Sequence, residues 1–307
     1  MFNAKIKFLG RHWKELILSA LKTTIVGFGM VITFSDALLN VLPKETEYSR
    51  PYMLLYHLVH LPFEHPSTLI VAVLILMLIG LIINWPKTKA VYKDASSDLR
   101  VIVECCDLFS QQGMRVIHCV DTFDTALGTV ISPRSVHGAF LQKCKENNFD
   151  IDKAITEGLR FQEPIATDDT LPANRQRYQL GTVCPITLGS DTYCMVSFTH
   201  LQANGSIAIT RKEYTEFLLA MWHNLSTPTL RQDEVNVAVM GNRFVDLPAE
   251  FSTEQKIDLM IQTFFMAARE KACCRTLRIC VHESNMSEVD FPHYATIIDH
   301  LAKRPMM

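Results

Sequence analysis

Residues 114–147 read MRVIHCVDTFDTALGTVISPRSVHGAFLQKCKEN, and their pattern decides the fold class of the chain. Met114–Val120 has the apolar character of a buried strand. Pro133–Asn147 has a helical pattern, with Pro133 in the first turn after Ser132, a good helix cap. A strand that leads through a loop into a helix is the repeating unit of α/β proteins. The stretch therefore predicts an α/β domain.

The same alternation continues through residues 99–303. Further strands are predicted at Leu99–Glu104, Tyr178–Thr187, Thr192–His200, Val235–Met240 and Thr276–Val281. Further helices are predicted at Thr210–Asn224, Ser252–Arg269 and Phe291–Ala302. Because Leu188-Gly189-Ser190-Asp191 is a turn sequence, the strands on either side of it form a hairpin. We therefore expect a three-layer α/β/α fold with a mixed sheet.

The composition of the chain excludes several classes of function. The net charge is −2 and no block of basic residues occurs, so nucleic acid is a poor candidate partner. The cysteine count of 9 is odd, which favours reduced thiols in a cytosolic domain. The adjacent pairs Cys105-Cys106 and Cys273-Cys274 lack the spacer of a zinc knuckle. No nucleophile elbow, Walker loop or zinc-protease motif is present, and we expect neither a metal nor a catalytic cofactor.

Two apolar segments precede the α/β domain. Thr68–Trp85 carries no charge, and at about 1.5 Å per residue it would cover about 27 Å, close to the thickness of the hydrocarbon layer. Thr23–Leu42 is also apolar but contains Asp36. These patterns predict transmembrane helices over residues 14–42 and 68–86.

The remaining segments follow from the two predicted spans. Residues 1–13 are a cytoplasmic segment, residues 43–67 an extracytoplasmic loop, residues 87–98 a linker and residues 99–303 the ligand-binding domain. Within the loop, Pro51–Phe63 is predicted to be an interfacial helix. Basic residues flank the spans on the side of both termini, so we expect both termini in the cytoplasm and the spans in the inner membrane. These residues are Lys5, Lys7, Arg11, Lys14, Lys87, Lys89 and Lys93.

Several residues of the membrane part are candidates for more than anchoring. Ser19, Thr23 and Gly27 form a ladder of small residues, which lets helices approach closely in lipid and suits oligomerisation. Asp36 marks either a pore or inter-subunit contact, or only a hydrated position near the end of the helix. His57 and His60 have a spacing that suits a metal or a pH sensor, but interfacial packing explains them more simply.

Ligands bind open α/β sheets at the carboxyl ends of the strands, so the loops after Val120, after Met240 and around Gly181 are the predicted site. Asp121 and Asp124 suit ligand contact or general-base chemistry, although aspartates after a strand often only cap turns. Arg243 suits a diphosphate, with a surface position as the alternative. His137 is either a ligand contact or a packing residue.

Four segments in this order resemble the macro-domain module of Thoeris anti-phage defence effectors, in the branch that carries two membrane spans ahead of it. They are VIHCVDTFDT (116–125), ISPRSVHGAFLQKC (131–144), RYQLGTVCPI (177–186) and VNVAVMGNRFVDLP (235–248). Macro domains bind nucleotides of the ADP-ribose type. The resemblance implies that a partner TIR-domain enzyme makes an NAD-derived messenger, in this branch a histidine-conjugated ADP-ribose, and that this chain binds it.

The resemblance also implies a set of ligand-binding residues: Asp121, Thr122, Phe123, Asp124, Thr125, Ser132, Ser135, His137, Gly138, Gly181, Thr182, Gly241, Asn242, Arg243 and Phe244. The family has further glycines after the position of Gly241, whereas this chain has Asn242, Arg243 and Phe244. Fewer glycines leave fewer backbone amides to wrap a diphosphate, so Arg243 is the candidate replacement.

These observations predict a membrane-anchored effector whose macro domain binds the messenger, after which the chain forms homo-oligomers and disrupts the membrane. Two alternatives remain open. A membrane-tethered ADP-ribose hydrolase would turn the nucleotide over, and a plain membrane scaffold would bind no small molecule.

Overall fold

The computed structural model describes residues 2–41, 66–94, 98–128, 130–171, 174–202, 206–241 and 251–303. The chain divides into two compact units at the boundary between Lys87 and Thr88. The first is helical and the second is an α/β unit.

The helical unit consists of α1 (Phe2–Val41) and α2 (Pro66–Ile83). Helix α1 runs without a break through the predicted N-terminal segment and most of the first predicted span. The two helices pack closely because small residues lie between them. A Cβ atom at Gly80 would lie 2.9 Å from the backbone oxygen of Ala20, and one at Gly27 would lie 3.3 Å from Leu76 Cδ2. Asn84 Nδ2 also donates a hydrogen bond to Thr23 Oγ1 at 3.1 Å. Two members of the small-residue ladder therefore have neighbours in the same chain: Gly27 lies against Leu76 of α2, and Thr23 is hydrogen-bonded to Asn84, just after α2.

The membrane predictions find no support in the structure. Within the described ranges, no helix has both the length and the apolar character that a bilayer crossing requires. The predicted interfacial helix with His57 and His60 lies outside the described residues, and so does the side chain of Asp36.

The α/β unit is built on a mixed sheet, as predicted. Its described strands are β1 (Lys89–Lys93), β2 (Arg100–Cys105), β3 (Met114–Val120), β4 (Ala166–Thr167), β5 (Gln176–Arg177), β6 (Val183–Leu188), β7 (Asp191–Leu201), β8 (Ile207–Ala208), β9 (Gln232–Ala238) and β10 (Cys274–Val281). The main sheet has the order β1-β2-β10-β9-β3-β7-β6, with β8 paired to β7. Strands β2, β10, β9, β3 and β7 are parallel, whereas β1, β6 and β8 are antiparallel to their neighbours. Strands β4 and β5 form a separate two-stranded sheet.

The described helices of this unit are α3 (Val136–Glu146), α4 (Ile151–Gly158), α5 (Arg211–Leu225), α6 (Thr253–Lys271) and α7 (Phe291–Lys303), with short 3₁₀ turns at Leu108–Ser110 and Glu283–Glu288. Phe140 of α3 and Ile155 of α4 belong to one buried cluster with Ile117 of β3. Phe198 of β7 instead packs on Phe217 of α5, with the ring centroids 4.8 Å apart. Helices thus cover the sheet, as expected of a layered α/β fold.

Two local predictions need correction, and one helix was missed. Helix α3 begins at Val136 and not at Pro133, because Ser135 is its cap: Ser135 Oγ accepts a hydrogen bond from the Gly138 amide at 2.9 Å. Residues 87–98, predicted to be a linker, contain strand β1, whose alternating side chains place Ala90 and Tyr92 in the core. Helix α4, which Asp150 caps, was not predicted.

Candidate functional site

A cavity of about 410 Å³ opens at the carboxyl edge of the parallel strands. This volume lies within the usual range of small-molecule sites. Its described lining comes from the ends of β3, β7, β9 and β10, the loop before α3, strand β8 and the turn after β10. The lining residues are His118, Cys119, Val120, Val130, Ile131, Ser132, Arg134, Ser135, Val136, His137, Phe198, Thr199, Ser206, Ile207, Ala238, Val239, Gly241, Cys280, His282, Ser284 and Asn285.

The start of α3 forms one wall of the cavity. Ser135 closes the loop, because its Oγ donates to the Ser132 carbonyl at 2.7 Å and accepts from the Gly138 amide. Gly138 itself does not line the cavity. A Cβ atom there would lie 2.1 Å from the Ser132 carbonyl oxygen, so only glycine lets the helix start so close to the loop. The wall contains the first residues of a helix and also Arg134, and a helix amino end with a guanidinium is a combination that attracts anions.

Two histidines are among the residues that line the same cavity: His137 is 4% exposed, and His118 is partly exposed. Burial lowers the pKa of His118 to about 4. Burial, and in second place the neighbouring His118, lower the pKa of His137 to about 3. Both imidazoles are therefore neutral at pH 7. Among the described residues, His118 Nδ1 and His137 Nε2 have no hydrogen-bond partner although both atoms are buried.

The thiols of the cavity are not activated. Burial raises the pKa of Cys119, whose Sγ donates to the Val196 carbonyl. A hydrogen bond with Cys106, followed by burial, raises the pKa of Cys280. Both thiols therefore stay protonated, which makes them poor nucleophiles.

Asp121, the leading candidate for ligand contact, has a structural role. Its side chain is 1% exposed, and both carboxylate oxygens are occupied. Oδ2 accepts from Arg177 Nη1 at 2.7 Å and lies 3.0 Å from His200 Nδ1, while Oδ1 accepts from the Leu201 amide at 3.0 Å. The hydrogen bond with Asp121 raises the pKa of His200. Asp121 thus joins the end of β3 to the end of β7.

The neighbouring residues of the DTFDT loop also lie outside the cavity lining. Asp124 is 2% exposed, and its oxygens accept from the amides of Ala126 and Asn174 at 2.7 and 3.1 Å. Phe123 and Thr122 are buried, and Thr125 donates to Asp152 at 2.6 Å. The turn-capping alternative therefore describes Asp124 in this structure.

Neither Gly181 nor Thr182 lines the cavity, and Gly181 lies against α5. Gly181 has φ +88, and a Cβ atom there would lie 2.6 Å from that of Ala220. The Thr182 amide donates to Ser197 Oγ at 3.0 Å. Of the last predicted segment, Gly241 lines the cavity, whereas Asn242, Arg243 and Phe244 lie outside the described residues. The structure thus brings Ser132, Ser135, His137 and Gly241 together.

Several lining residues were not predicted from the sequence. His282, Ser284 and Asn285 follow β10, and the carboxyl-end rule would have found them if it had been applied to that strand. His118 lies inside β3, where nothing in the sequence distinguishes a cavity-lining histidine from a core residue.

The chain is similar to one family model and to several solved structures. The family model described as "Thoeris protein ThsA, Macro domain" matches residues 101–282. Among solved structures, a mutant of the Oceanobacillus iheyensis macrodomain is similar with a TM-score of 0.42 and 13% identity, covering 69% of this chain and 95% of that chain. The same macrodomain with ADP has a TM-score of 0.41 and 12% identity, covering 69% and 98%. No curated protein sequence matches the chain.

Proposed function

The chain belongs to the Thoeris ThsA macro-domain family, and from this premise we propose that the cavity binds a nucleotide of the ADP-ribose type. The observation that carries the proposal is the position of the α3 amino end and Arg134 in the wall of a cavity at the carboxyl edge of the sheet. Backbone amides at a helix amino end and a guanidinium are the groups that proteins use to bind a diphosphate.

The rest of the lining suits the uncharged parts of such a nucleotide. Val120, Val130, Ile131, Phe198 and Ile207 give the cavity apolar walls. Apolar and aromatic walls with a few placed polar groups are typical of small-molecule sites, since the walls take up the apolar surface while the polar groups fix the orientation.

We propose that the domain acts as a receptor and not as a hydrolase. None of the described lining residues is a carboxylate. The two aspartates that the sequence offers as bases, Asp121 and Asp124, hold backbone amides and an arginine. Hydrolysis by general-base catalysis requires a group that reaches the attacking water, and neither aspartate lines the cavity.

We propose that the helical unit contacts a lipid bilayer, the predicted inner membrane. Its large apolar side chains are exposed, and they include Ile17, Leu18, Leu21, Ile25, Val26 and Met30 of α1 and Ile70, Val71, Leu74, Ile75, Leu78, Ile79, Ile82 and Ile83 of α2. Contiguous apolar surface of this kind marks sites that contact lipid or protein. The basic residues before the first predicted span and after the second support a cytoplasmic position of both chain termini.

The resemblance to the two-span Thoeris branch supports three further parts of the proposal. A partner TIR-domain enzyme makes the messenger, the messenger is a histidine-conjugated ADP-ribose, and its binding drives homo-oligomerisation that disrupts the membrane. Such coupling requires the ligand to bind the assembled state more tightly than the resting one. To shift the equilibrium between the resting and the assembled state from 1:99 to 99:1, the ligand must bind the assembled state more tightly by about 5.5 kcal/mol.

A ligand series with the purified full chain tests the nucleotide-receptor proposal. ADP-ribose, histidine-conjugated ADP-ribose and ADP are added in a thermal-shift experiment, and the nucleotides are afterwards separated chromatographically. We expect stabilisation, by about 2.7 kcal/mol at 100 times Kd, with the ligand recovered intact. An Ile207→Trp variant fills the cavity and is expected to lose the shift. Ile165→Trp, at a position 62% exposed and outside the cavity lining, is the matched control.

The outcomes separate the three functions. No stabilisation by any of the three nucleotides overturns the receptor proposal and leaves a scaffold. Catalytic release of product replaces the receptor with the hydrolase.

A further inference from the structure

Two cysteines, Cys106 and Cys280, form a thiol pair that joins the surface of the α/β unit to the lining of the cavity. Cys105 and Cys106 are partly exposed, whereas the other cysteines of the chain are buried. Cys280 is 3% exposed and belongs to the cavity lining. One sulfur of the pair is therefore open to solvent, and the other lies in the residue that borders the cavity.

The register of the sheet brings the two side chains together. Cys280 of β10 pairs with Glu104 of β2, and Cys106 follows Glu104 by two residues, so it lies on the same face of the sheet. Cys106 packs against the buried cluster that contains Cys280, and the two thiols are hydrogen-bonded. Strand β2 ends at Cys105, so the ladder of the sheet does not prevent Cys106 from moving closer to Cys280.

The hydrogen bond gives the two sulfurs different chemistry. It lowers the pKa of Cys106, because the Cys280 thiol donates to the Cys106 thiolate, and for the same reason it raises the pKa of Cys280. Around Cys106, burial, Glu104 and Asp107 oppose this shift, while Arg278 supports it. Thiolates attack disulfides and thiols do not, so Cys106 is the nucleophile of the pair.

A second pair of close thiols shows why exposure matters. The Sγ atoms of Cys273 and Cys274 lie 3.8 Å apart, and the two residues are 2% and 1% exposed. A reagent in solution does not reach thiols that are buried to this extent. The Cys273 and Cys274 pair is therefore an internal control for proximity without access.

We propose that Cys106 and Cys280 are a modification site for small disulfides of the glutathione type, and that closure of this pair weakens nucleotide binding. The Cys106 thiolate first attacks oxidised glutathione, forms a mixed disulfide and releases one glutathione thiolate. Cys280 then attacks Cys106 Sγ, and the second glutathione leaves with the proton of Cys280. The two protein thiols are oxidised to one disulfide, and the oxidised glutathione is reduced to two glutathione molecules.

Closure changes the cavity because Cys280 is part of its lining. The hydrogen bond between the sulfurs is replaced by a shorter covalent bond, which draws Cys280 towards the end of β2. The lining residues His282, Ser284 and Asn285 follow directly after β10 and shift with its end. The effect on binding rests on the proposed function, and coupling between two sites of a protein is usually about 5- to 150-fold.

Peptide mapping tests the modification site. The purified full chain is treated with oxidised glutathione and unfolded, its remaining thiols are alkylated, and its peptides are identified by mass spectrometry. We expect one disulfide, between Cys106 and Cys280, and alkylated Cys273 and Cys274. Cys280→Ala should stop at the mixed disulfide on Cys106, and Cys106→Ser should form neither product. Cys105→Ser is the matched control, since it removes the neighbouring, partly exposed thiol and should close like the wild-type chain.

Calorimetry with ADP-ribose tests the effect on the cavity. Oxidation should raise the Kd of the wild-type chain at least about fivefold, and reduction with dithiothreitol should restore it. Cys106→Ser, treated in the same way, should keep its Kd, which excludes an effect of the oxidant at another residue. The thermal midpoint of the oxidised chain should not fall, because a disulfide constrains the unfolded state.

The outcomes distinguish the possible failures. If the wild-type chain keeps both thiols, or stops at the mixed disulfide, the thiol pair is refuted. If the pair closes and the Kd for ADP-ribose is unchanged, the link to the cavity is wrong. If the reduced chain binds no ADP-ribose, the proposed function fails and the link fails with it, whereas the peptide map still decides the modification site.

Discussion

Replacement of Asp121 by asparagine separates a structural role of this residue from a role in binding. The substitution keeps the shape of the side chain but removes its charge. The Leu201 amide can still donate to the side-chain oxygen, whereas Arg177 and His200 lose their anionic partner at 2.7 and 3.0 Å. Arg177 keeps Asp168, whose Oδ2 lies 2.8 Å from its Nη2.

The expected loss of stability follows from this partial compensation. Breaking one side of a buried ion pair costs about 3–5 kcal/mol. Because Arg177 retains a second carboxylate, we expect the lower end, about 3 kcal/mol. With a slope near 2 kcal/mol per molar, this loss would lower the midpoint of urea unfolding by about 1.5 M.

Fluorescence of Trp222 measures this change in the α/β unit. Trp222 is fully buried there, and Trp13→Phe with Trp85→Phe removes the tryptophans of the helical unit from the signal. Asp169→Asn is the matched control, since Asp169 also pairs with an arginine but is 80% exposed. Exposed pairs contribute about 0–1 kcal/mol, so the control should unfold near the wild-type midpoint.

The same variant decides whether Asp121 touches the ligand. Under conditions where Asp121→Asn is folded, its Kd for ADP-ribose should stay within about threefold of the wild-type value, because a structural residue acts through stability. Unchanged stability combined with a large loss of affinity would refute the assignment. Asp121 would then be a ligand contact, as the sequence suggested.

Three further predictions follow from the site. Burial lowers the pKa of His118 to about 4 and that of His137 to about 3, so their contribution to folding stability is present above the ordinary pKa near 6.5 and is lost as the pH falls. Relative to a His118→Phe/His137→Phe variant, the free energy of unfolding of the wild-type chain should fall by about 4 kcal/mol between pH 7.5 and 5, measured by urea titration. Parallel stability curves of the two proteins would contradict this prediction. The raised pKa of His200 has the opposite effect on the pH dependence of stability. Its contribution is present below the ordinary pKa and is lost as the pH rises through the raised pKa, so the stability that Asp121 confers should decline above pH 6.5. An equal difference in the free energy of unfolding between wild type and Asp121→Asn at pH 6 and pH 9 would contradict this prediction. Ser135→Ala removes the α3 cap and should lower the stability by about 1 kcal/mol. Gly138→Ala should lower it more, because its Cβ atom would lie 2.1 Å from the Ser132 carbonyl oxygen. Urea unfolding ranks the two variants, and a smaller loss for Gly138→Ala would show that the loop can move.

The sequence predicts elements whose signals are local. Strand β3 has the predicted bounds, and the hairpin of β6 and β7 turns at Gly189-Ser190 as expected. The elements that were missed are short. Strand β1 has 5 residues and helix α4 has 8, too few for their periodic patterns to stand out from a linker or a loop.

The residues of the candidate site also divide into those with a local sequence signal and those without one. The carboxyl-end rule predicted the edge of the sheet at which the cavity opens, because the rule depends only on strand direction. The sequence did not show which polar side chains remain free at that edge. The partners that occupy Asp121 are Arg177 and His200, which lie 56 and 79 residues further along the chain. Contacts over such separations depend on the tertiary structure and have no local signal.

This distribution of partners also supports the proposal that the cavity belongs to a receptor. The carboxylates of Asp121 and Asp124 at the end of β3 hold β7 and the segment around Asn174, and neither carboxylate lines the cavity. In its described part, the lining includes the neutral imidazoles of His118 and His137, protonated thiols, hydroxyl groups and the guanidinium of Arg134. These groups donate and accept hydrogen bonds at neutral pH without changing their charge. Such a lining supports the proposal that the domain binds a nucleotide and releases it unchanged, as a receptor for a diffusible signal would.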